Sequence, residues 1–408
     1  MLRRLSVTLT VFIIWQFCSS LTLAETKKPQ QPDKFPPNPL EITTPDPLLP
    51  RTSKKEPLTQ QEMQDLEVAL DKLNQEAAAK LQAGDKQAAF DTWNRELRLR
   101  RYLGSLAEVQ ALSRVGAIAW SENDRPQVQY ITQRLQKIHT STQSQKTGNL
   151  ELWQSLGQAY TNVRSPKEAL EAYERVLAEV RQQQDTAAEV ETLKAIANLH
   201  MSWFDYPKAA ATYEQLLSFA STKGDRLNEI TYLQQLAYIY EQTKQPQQSV
   251  KVRNQLVALY QQSNDLTQLP VLKLAIGSDY ESLAKENPGL LKEAFNNYQE
   301  AYATAWQLQQ YTRAGEALRK LIALYRSQGQ IEEALQASQI LLQTEERAVN
   351  YYGLMSTYDQ IGQIHLERKQ YPQALAAFQK GLELAQQLKH EEAYFTEQIE
   401  KASKQSSN

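Results

Sequence analysis

The sequence predicts an all-α fold, a solenoid of about eight helical hairpins. Glycine is scarce, at 13 of 408 residues, and nine of the 16 prolines fall between Pro29 and Pro57, so most of the chain can form uninterrupted helix. From residue 58 onward the sequence repeats about every 40 residues, a length that fits one pair of helices. The composition, 41% hydrophobic and 23% charged, allows a buried core.

Residues 1–24 have the pattern of a secretory signal peptide. Arg3 and Arg4 form a short basic start, residues 5–17 are mainly apolar, and small residues precede a predicted cleavage after Ala24. This predicts an exported protein in the periplasm or an equivalent extracytoplasmic space. The alternative is a retained anchor that leaves the protein membrane-associated, although the apolar run is shorter than the roughly 20 residues of a spanning helix. The only cysteine, Cys18, lies in this segment.

Residues 25–57 are rich in proline and almost without helical periodicity. They are predicted to form an extended, disordered tether. Two roles stay open for it, a spacer that docks a partner and a passive disordered N-terminus.

The predicted solenoid covers residues 58–390, and each hairpin has a first helix, A, marked by a small or compact residue. These positions are separated by 41, 40, 40, 40, 45 and 40 residues: Gly116, Gly157, Ala197, Ala237, Gly277, Ile322 and Gly362. Three residues later, on the same helical face, come Ala119, Tyr160, His200, Tyr240, Tyr280, Tyr325 and His365. The fifth step is longer because of a turn-rich insertion, Glu286 to Leu290.

The second helix, B, repeats with the same steps. Its small positions are Val128, Ala169, Ala209, Ser249, Ala294, Ala334 and Ala374. An aromatic residue follows four places later at Tyr173, Tyr213, Tyr298 and Phe378, whereas Thr132, Arg253 and Ser338 depart from this pattern. A weaker first unit places Ala77 in helix A and Ala89 and Trp93 in helix B. Residues 391–408 are predicted to form a capping helix, to Ser403, and a frayed tail.

Leu156-Gly157 with Tyr160, Ala169 and Tyr173, preceded by Trp153, resembles the tetratricopeptide repeat, and the match recurs over about residues 65–385. The unit is longer than the usual 34 residues or so. The resemblance implies a right-handed α–α superhelix whose A helices line a concave groove for a partner segment. By that resemblance the groove residues are Gln158, Thr161, Asn162, Lys194, Asn198, Met201, Ser202, Gln234, Tyr238, Glu241, Gln242, Arg319, Arg326, Gln363 and Glu367.

One subtype of this family clamps a C-terminal carboxylate with basic and amide side chains from three successive repeats. Lys194 and Asn198 match its first pair, but Gln235, Val271 and Ala275 stand at the later positions and cannot supply the remaining charge. The resemblance therefore disfavours a clamp of this type. Solvated helix faces are the simpler interpretation of Lys194 and Asn198.

No catalytic, metal or cofactor motif is recognisable in the sequence. His200 and His365 occupy a position that tyrosine fills in other repeats, which indicates packed rings rather than metal ligands. Adjacent carboxylates such as Glu332 and Glu333 point about 100° apart on a helix and are typical of solvated faces. A net charge of −2 without a strongly basic stretch argues against a nucleic-acid partner.

These observations predict a non-catalytic scaffold or adaptor that binds one or more proteins along the helix-A groove. Its most specific form resembles the exported tetratricopeptide proteins that help to assemble membrane complexes such as photosystem II. The alternative is a metal-binding or metal-delivery protein, or an enzyme, with a site of surface carboxylates and histidines.

Overall fold

The computed structural model describes residues 38–49, 58–143 and 149–407. The chain divides into two compact units, Met1–Ser165 (unit 1) and Pro166–Asn408 (unit 2). All regular secondary structure in the described residues is helical, which confirms the all-α prediction. The predicted signal peptide lies outside the described residues. Among the helices described, none has the length and apolar composition needed to cross a bilayer.

Unit 1 contains two helical hairpins and the first helix of a third. Its α-helices are α1 (Gln60–Gln82), α2 (Lys86–Arg100), α3 (Ser105–Ser121), α4 (Arg125–Gln143) and α5 (Leu150–Asn162). Short 3-10 helices occupy Pro39–Glu41 and Arg101–Leu103. Helix α1 packs against α2, and α3 packs against both α4 and α5, so successive A helices are in direct contact.

Unit 2 begins with one helix, continues with five hairpins and ends with a final helix. The first elements are α6 (Pro166–Gln182), α7 (Thr186–Ser202), α8 (Tyr206–Lys223), α9 (Arg226–Gln242), α10 (Pro246–Gln262) and α11 (Leu269–Ala284). They are followed by α12 (Leu291–Gln307), α13 (Tyr311–Ser327), α14 (Ile331–Arg347), α15 (Tyr351–Glu367), α16 (Tyr371–Leu388) and α17 (Glu392–Ser406). Each helix packs against the next one along the chain.

The turns between helices share one hydrogen-bond pattern, which explains the regular length of the repeat. At the end of α7 the N–H of Asp205 donates to the carbonyl of His200 at 2.9 Å, and Phe204 between them is left-handed, with φ of 57°. The same bond recurs 40 residues later between Gln245 and Tyr240, with Lys244 left-handed. This is the Schellman end of a helix, which satisfies carbonyls that would otherwise lack a partner.

The small positions of helix A make room for aromatic rings of helix B. A Cβ atom placed on Gly277 would lie 2.4 Å from the ring of Tyr298, and one on Gly362 would lie 2.5 Å from the ring of Phe378. In these hairpins the ring of helix B covers the glycine directly. Both rings are fully buried, so the pairs fix how α11 meets α12 and how α15 meets α16.

Residues 38–49 differ from the disordered tether predicted for residues 25–57. We call these twelve residues the strap. They begin with the 3-10 helix Pro39–Glu41, which packs against α2 and α4, and they bury Leu40 completely. Helical periodicity could not reveal this packing, because the strap is held by single side chains and not by an amphipathic face. Residues 25–37 and 50–57 lie outside the described residues.

The C-terminal helix α17 packs against α16. Phe395 is 1% exposed, and its ring lies where a side chain on Gly381 would stand. The helix continues to Ser406, three residues beyond the predicted end at Ser403. Its apolar side thus covers a face of α16 that would otherwise be open to water.

Candidate protein-binding surface

The fifteen groove residues predicted from the sequence all lie on A helices. Three are on α5 in unit 1, and the others are on α7, α9, α13 and α15 in unit 2. On α5, Gln158 donates a hydrogen bond to Asn162 at 3.0 Å, and Asn162 donates to the hydroxyl of Ser113 on α3 at 2.9 Å. Thr161 donates to the carbonyl of Gly157 on its own helix. The amides on α5 therefore also hold two A helices together.

On α7 the predicted residues are half-buried or engaged by neighbours. The ammonium of Lys194 lies 2.8 Å from Glu191, one turn earlier, and this hydrogen bond raises the pKa of Lys194 above its usual range. Asn198 accepts a bond of 3.3 Å from the hydroxyl of Tyr213, and Ser202 donates to the carbonyl of Asn198 at 2.8 Å. Met201 packs against the core of unit 2. The pairing of Lys194 agrees with a solvated helix face rather than a carboxylate clamp.

On α9 the side chain of Tyr238 is 46% exposed, a large fraction for an aromatic residue. Gln234 donates to the hydroxyl of Tyr260 at 3.1 Å, and Glu241 forms an ion pair with the buried guanidinium of Arg253. Gln242 is exposed at the end of the helix. Tyr238 is thus the one aromatic residue among the predicted groove residues of this helix, and nearly half of its surface is open to a partner.

Tyr238 belongs to a larger group of aromatic residues, which we call the aromatic patch: the exposed Trp203, Phe204 and Tyr238, with the half-buried Tyr206. Trp203 is 46% exposed and Phe204 71% exposed, at the turn between α7 and α8. Edge-to-face contacts join Phe204 to Tyr206 at 6.1 Å and Tyr206 to Tyr238 at 6.3 Å between ring centroids. Aromatic residues are enriched where proteins bind one another.

The charged members on α13 and α15 are paired with nearby carboxylates and amides. Arg326 lies 3.1 Å from Glu367 and so bridges the two helices. Arg319 pairs with Glu345 of α14, which is 1% exposed. Gln363 donates to Tyr394 and Gln398 of α17, at 3.2 and 3.1 Å. These contacts fix the directions of the side chains.

A cleft lies between two A helices of unit 2, α11 and α13, with a volume of about 500 Å³. We call it the α11–α13 cleft. Its lining is Val271, Leu274, Ala275 and Ser278 from α11, with Glu316, Arg319 and Lys320 from α13. One side is thus mainly apolar, and the other is charged and polar. Clefts that combine an apolar wall with a few polar groups are suited to hold a ligand side chain.

The cations of the cleft are held by carboxylates behind them. Lys320 lies 3.4 Å from Glu281, and the same carboxylate accepts a hydrogen bond from the hydroxyl of Tyr298. Burial raises the pKa of Tyr298, so this phenol stays protonated and continues to donate. The Tyr298 hydroxyl also lies 3.1 Å from Ser278 in the wall of the cleft. The ring under Gly277 therefore connects the packing of α11 to the polar edge of the cleft.

The predicted groove residues do not include any of α11, although the wall of the cleft comes from that helix. Val271 and Ala275 were recognised only as residues that cannot build a carboxylate clamp. Their spacing of four residues, with Leu274 beside them, was the signal for an apolar stripe at groove positions. Val271 is 41% exposed, so part of this apolar stripe is open to solvent in the wall of the cleft.

The described part of the chain holds no group of three or more His, Cys, Asp or Glu side chains arranged around a possible metal position. His200 is buried in the position that Tyr240 fills in the next repeat, and burial lowers its pKa. His365 lies 2.7 Å from Gln370. Both imidazoles thus make packing or hydrogen-bond contacts within their own repeats.

Two stretches of the sequence match tetratricopeptide repeat family models, residues 152–187 and residues 313–387. A search of curated proteins finds no match. Among solved structures, BtubC (BKLC) from P. vanneervenii is 17% identical over an alignment that covers 55% of this chain and 92% of BtubC, with a TM-score of 0.38. Aspartyl phosphate phosphatase F from Bacillus subtilis is 15% identical over 80% of this chain and 82% of its own, with a TM-score of 0.34.

A signal transduction ATPase from Pyrococcus horikoshii with a tetratricopeptide repeat sensor is 13% identical, over 86% of this chain and 54% of its own, with a TM-score of 0.36. At these identities and TM-scores none of the three likenesses carries an argument about activity. The matched residues 313–387 contain most of the hairpins α13–α14 and α15–α16, and in the second of these Gly362 packs against the ring of Phe378. The sequence matches and the helical hairpins that contain them show that this chain contains tetratricopeptide repeats.

Proposed function

We propose that this chain is a non-catalytic scaffold that holds a segment of a partner protein on the A-helix surface of unit 2. The observation that carries the proposal is the α11–α13 cleft, which combines exposed Val271 with the charged side chains of Arg319 and Lys320. An apolar side chain of the partner would enter the cleft, and polar groups beside it would meet the charged edge. The aromatic patch offers a second contact region within the same unit.

We extend the proposal to the cellular compartment of the protein and to the kind of complex that it helps to assemble. The basic and apolar pattern of residues 1–24 supports export to an extracytoplasmic compartment. The family resemblance supports a role in assembling a membrane complex of the photosystem type. N-terminal sequencing of the protein from its native host tests export, with Glu25 expected as the first residue. A protein that still begins at Met1 would contradict cleavage.

Affinity capture with the complete chain tests partner binding. Ala275→Arg fills the cleft, and Gln255→Arg places the same side chain on the exposed side of helix α10 as a matched control. A second variant combines Lys194→Ala, Asn198→Ala and Tyr238→Ala. We expect one stoichiometric partner for the parent and the control, and at least tenfold less for Ala275→Arg. Equal capture by all variants at unchanged helical content would exclude these surfaces.

The same purified protein distinguishes the alternative function. Elemental analysis of the chain without added metal measures any bound ion directly. A stoichiometric metal together with no captured protein would support the metal-binding or enzymatic alternative. Loss of the complex in a strain without the gene, measured on native gels, would support the assembly role.

A further inference from the structure

The strap occupies a site on unit 1 that contacts both its backbone and its side chains. Arg98 donates a hydrogen bond to the carbonyl of Pro39 at 2.8 Å, and Arg101 donates to the carbonyl of Leu40. Carbonyls are common to every peptide, so these two contacts depend on the backbone shape of the segment, here one turn of 3-10 helix, and not on a particular sequence. Leu40, with 0% exposure, supplies the one completely buried side chain.

Two ion pairs add selectivity for acidic residues at two positions within the strap. Arg95 makes two parallel hydrogen bonds to the carboxylate of Asp46, at 2.8 and 2.9 Å. Lys137 lies 3.0 Å from Glu41. Paired bonds between guanidinium and carboxylate are strong and directional. The hydrogen bond from Arg95 lowers the pKa of Asp46, so Asp46 is ionised at neutral pH.

The apolar end of the strap rests on the first hairpin. Leu48 and Leu49 pack, partly buried, against a cluster of buried leucines on α1 and α2: Leu66, Leu70, Leu73 and Leu99. The strap therefore has one deep anchor, two shallow ones and two carboxylates. Recognition by a buried leucine with flanking charges is a common way to bind a short segment.

The receptor side of this site is organised by groups that do not belong to the strap. Glu108, which is 3% exposed, accepts hydrogen bonds from Arg101 at 3.1 Å and from Arg134 at 2.8 Å. These bonds aim the guanidinium of Arg101 toward the position of the Leu40 carbonyl. A site whose donors are already held in place loses little entropy when a segment binds.

Half of the strap residues are exposed, and only Leu40 is fully buried. The Glu41 and Lys137 side chains are 41% and 57% exposed, and exposed ion pairs of this kind contribute little stability. Apart from one turn of 3-10 helix, residues 38–49 have no regular secondary structure. A short segment with few buried groups opens more easily than a packed helix.

We propose that this site on unit 1 binds a partner segment containing a leucine followed by carboxylates, and that the strap is its exchangeable built-in occupant. The partner segment would match the strap in chemistry, with an anchoring leucine next to one acidic residue and a second acidic residue before two leucines. While the strap is in place it competes with such a segment through its high local concentration. This surface is separate from the α11–α13 cleft, so the two proposals can fail independently.

A peptide-binding experiment with the complete chain tests the exchange. The probe is a fluorescently labelled synthetic peptide with the sequence of residues 38–49, and fluorescence anisotropy measures its binding. Leu40→Asp in the protein should release the strap, because an unpaired carboxylate is costly in a fully buried position. We expect this variant to bind the peptide at least tenfold more tightly than the parent. A peptide of scrambled sequence should not bind.

The receptor residues provide the decisive comparison. Adding Arg98→Ala and Arg101→Ala to Leu40→Asp should weaken peptide binding at least tenfold again. Should Leu40→Asp fail to fold, Asp46→Arg opens the strap more gently, by placing like charges together at Arg95 while keeping the leucine. Two results would overturn the proposal: an opened and folded variant that binds the peptide no more tightly than the parent does, or one that binds the scrambled peptide equally well. The strap would then be a fixed structural element.

Discussion

Single residues decide how hairpins fit together: in three successive hairpins of unit 2, the equivalent positions of helices A and B complement one another in size. Gly277 faces Tyr298, and Gly362 faces Phe378. In the hairpin between these two, the equivalent positions hold Ile322 and Ser338, a large residue on helix A and a small one on helix B. Interiors pack densely, so a change at one position has to be matched by its partner.

Gly277→Ala tests this complementarity. The added Cβ would lie 2.4 Å from a ring that is itself fully buried, so the ring and its helix must move. Overpacking of this kind costs about 1–3 kcal/mol. We expect the urea midpoint of unfolding to fall accordingly. Gly289→Ala is the matched control, because its Cβ would meet only the side-chain oxygen of Asn287, at 3.4 Å. Equal midpoints for the two variants would contradict the assigned packing.

His200→Tyr tests the second residue-scale feature, a histidine in a tyrosine position. Burial lowers the pKa of His200, so the folded protein holds this imidazole neutral more strongly than the unfolded chain does. Its contribution to stability is therefore complete above the ordinary pKa of about 6.5 and is lost as the pH falls through the lower value of the folded state.

We expect the unfolding midpoint of the parent to fall between pH 7.5 and pH 5 by more than that of His200→Tyr, measured with urea at each pH. His390→Gln, at an exposed position, should follow the parent. A parent and a His200→Tyr variant with the same pH dependence would show that this imidazole does not titrate differently in the folded state.

At the scale of elements, the turns between helices indicate where a residue has a role other than stabilising the fold. Left-handed backbone is least costly for glycine, and Gly224 and Gly329 use it that way. The corresponding turn after α7 instead holds Phe204, with most of its ring in water. A bulky residue in this conformation adds cost without burying its surface, which favours a binding role for the aromatic patch.

Phe204→Gly should therefore separate stability from binding. Relief of the left-handed strain stabilises the folded protein by about 1 kcal/mol or less, and little packing is lost because the ring is exposed. Partner capture should fall at the same time. Lys244→Gly, at the equivalent turn of the next repeat with φ of 52°, should stabilise in the same way and leave capture unchanged. Thermal denaturation and affinity capture measure the two effects, and intact capture by Phe204→Gly would remove the patch from the binding surface.

At the scale of the whole chain, local and periodic features were predictable and the contacts of isolated side chains were not. Spacing alone located Gly277 and Tyr298, because each repeat supplies the same packing and hydrogen-bond requirements. The strap escaped prediction, since a single buried leucine and a few charges leave no periodic pattern. The α11–α13 cleft was missed because the sequence was compared only with a charged clamp. Apolar Val271 was therefore interpreted as a missing charge and not as part of an apolar wall.

The repeat array also predicts how far a destabilising substitution at one end affects the stability of the other helices. Phe395 is the main buried contact of α17 with α16. Its truncation to alanine lowers the free energy of unfolding by about 3–5 kcal/mol where the surrounding structure cannot collapse into the cavity. Because each helix contacts mainly its neighbours, Phe395→Ala should weaken hydrogen-exchange protection first in α17 and α16, less in α15, and not in α7 or α8. Glu397→Ala, on the exposed side of α17, is the control. Equal loss of protection along α7 to α17 would instead mean that unit 2 unfolds as one cooperative block, since neighbour-limited coupling cannot carry the loss that far.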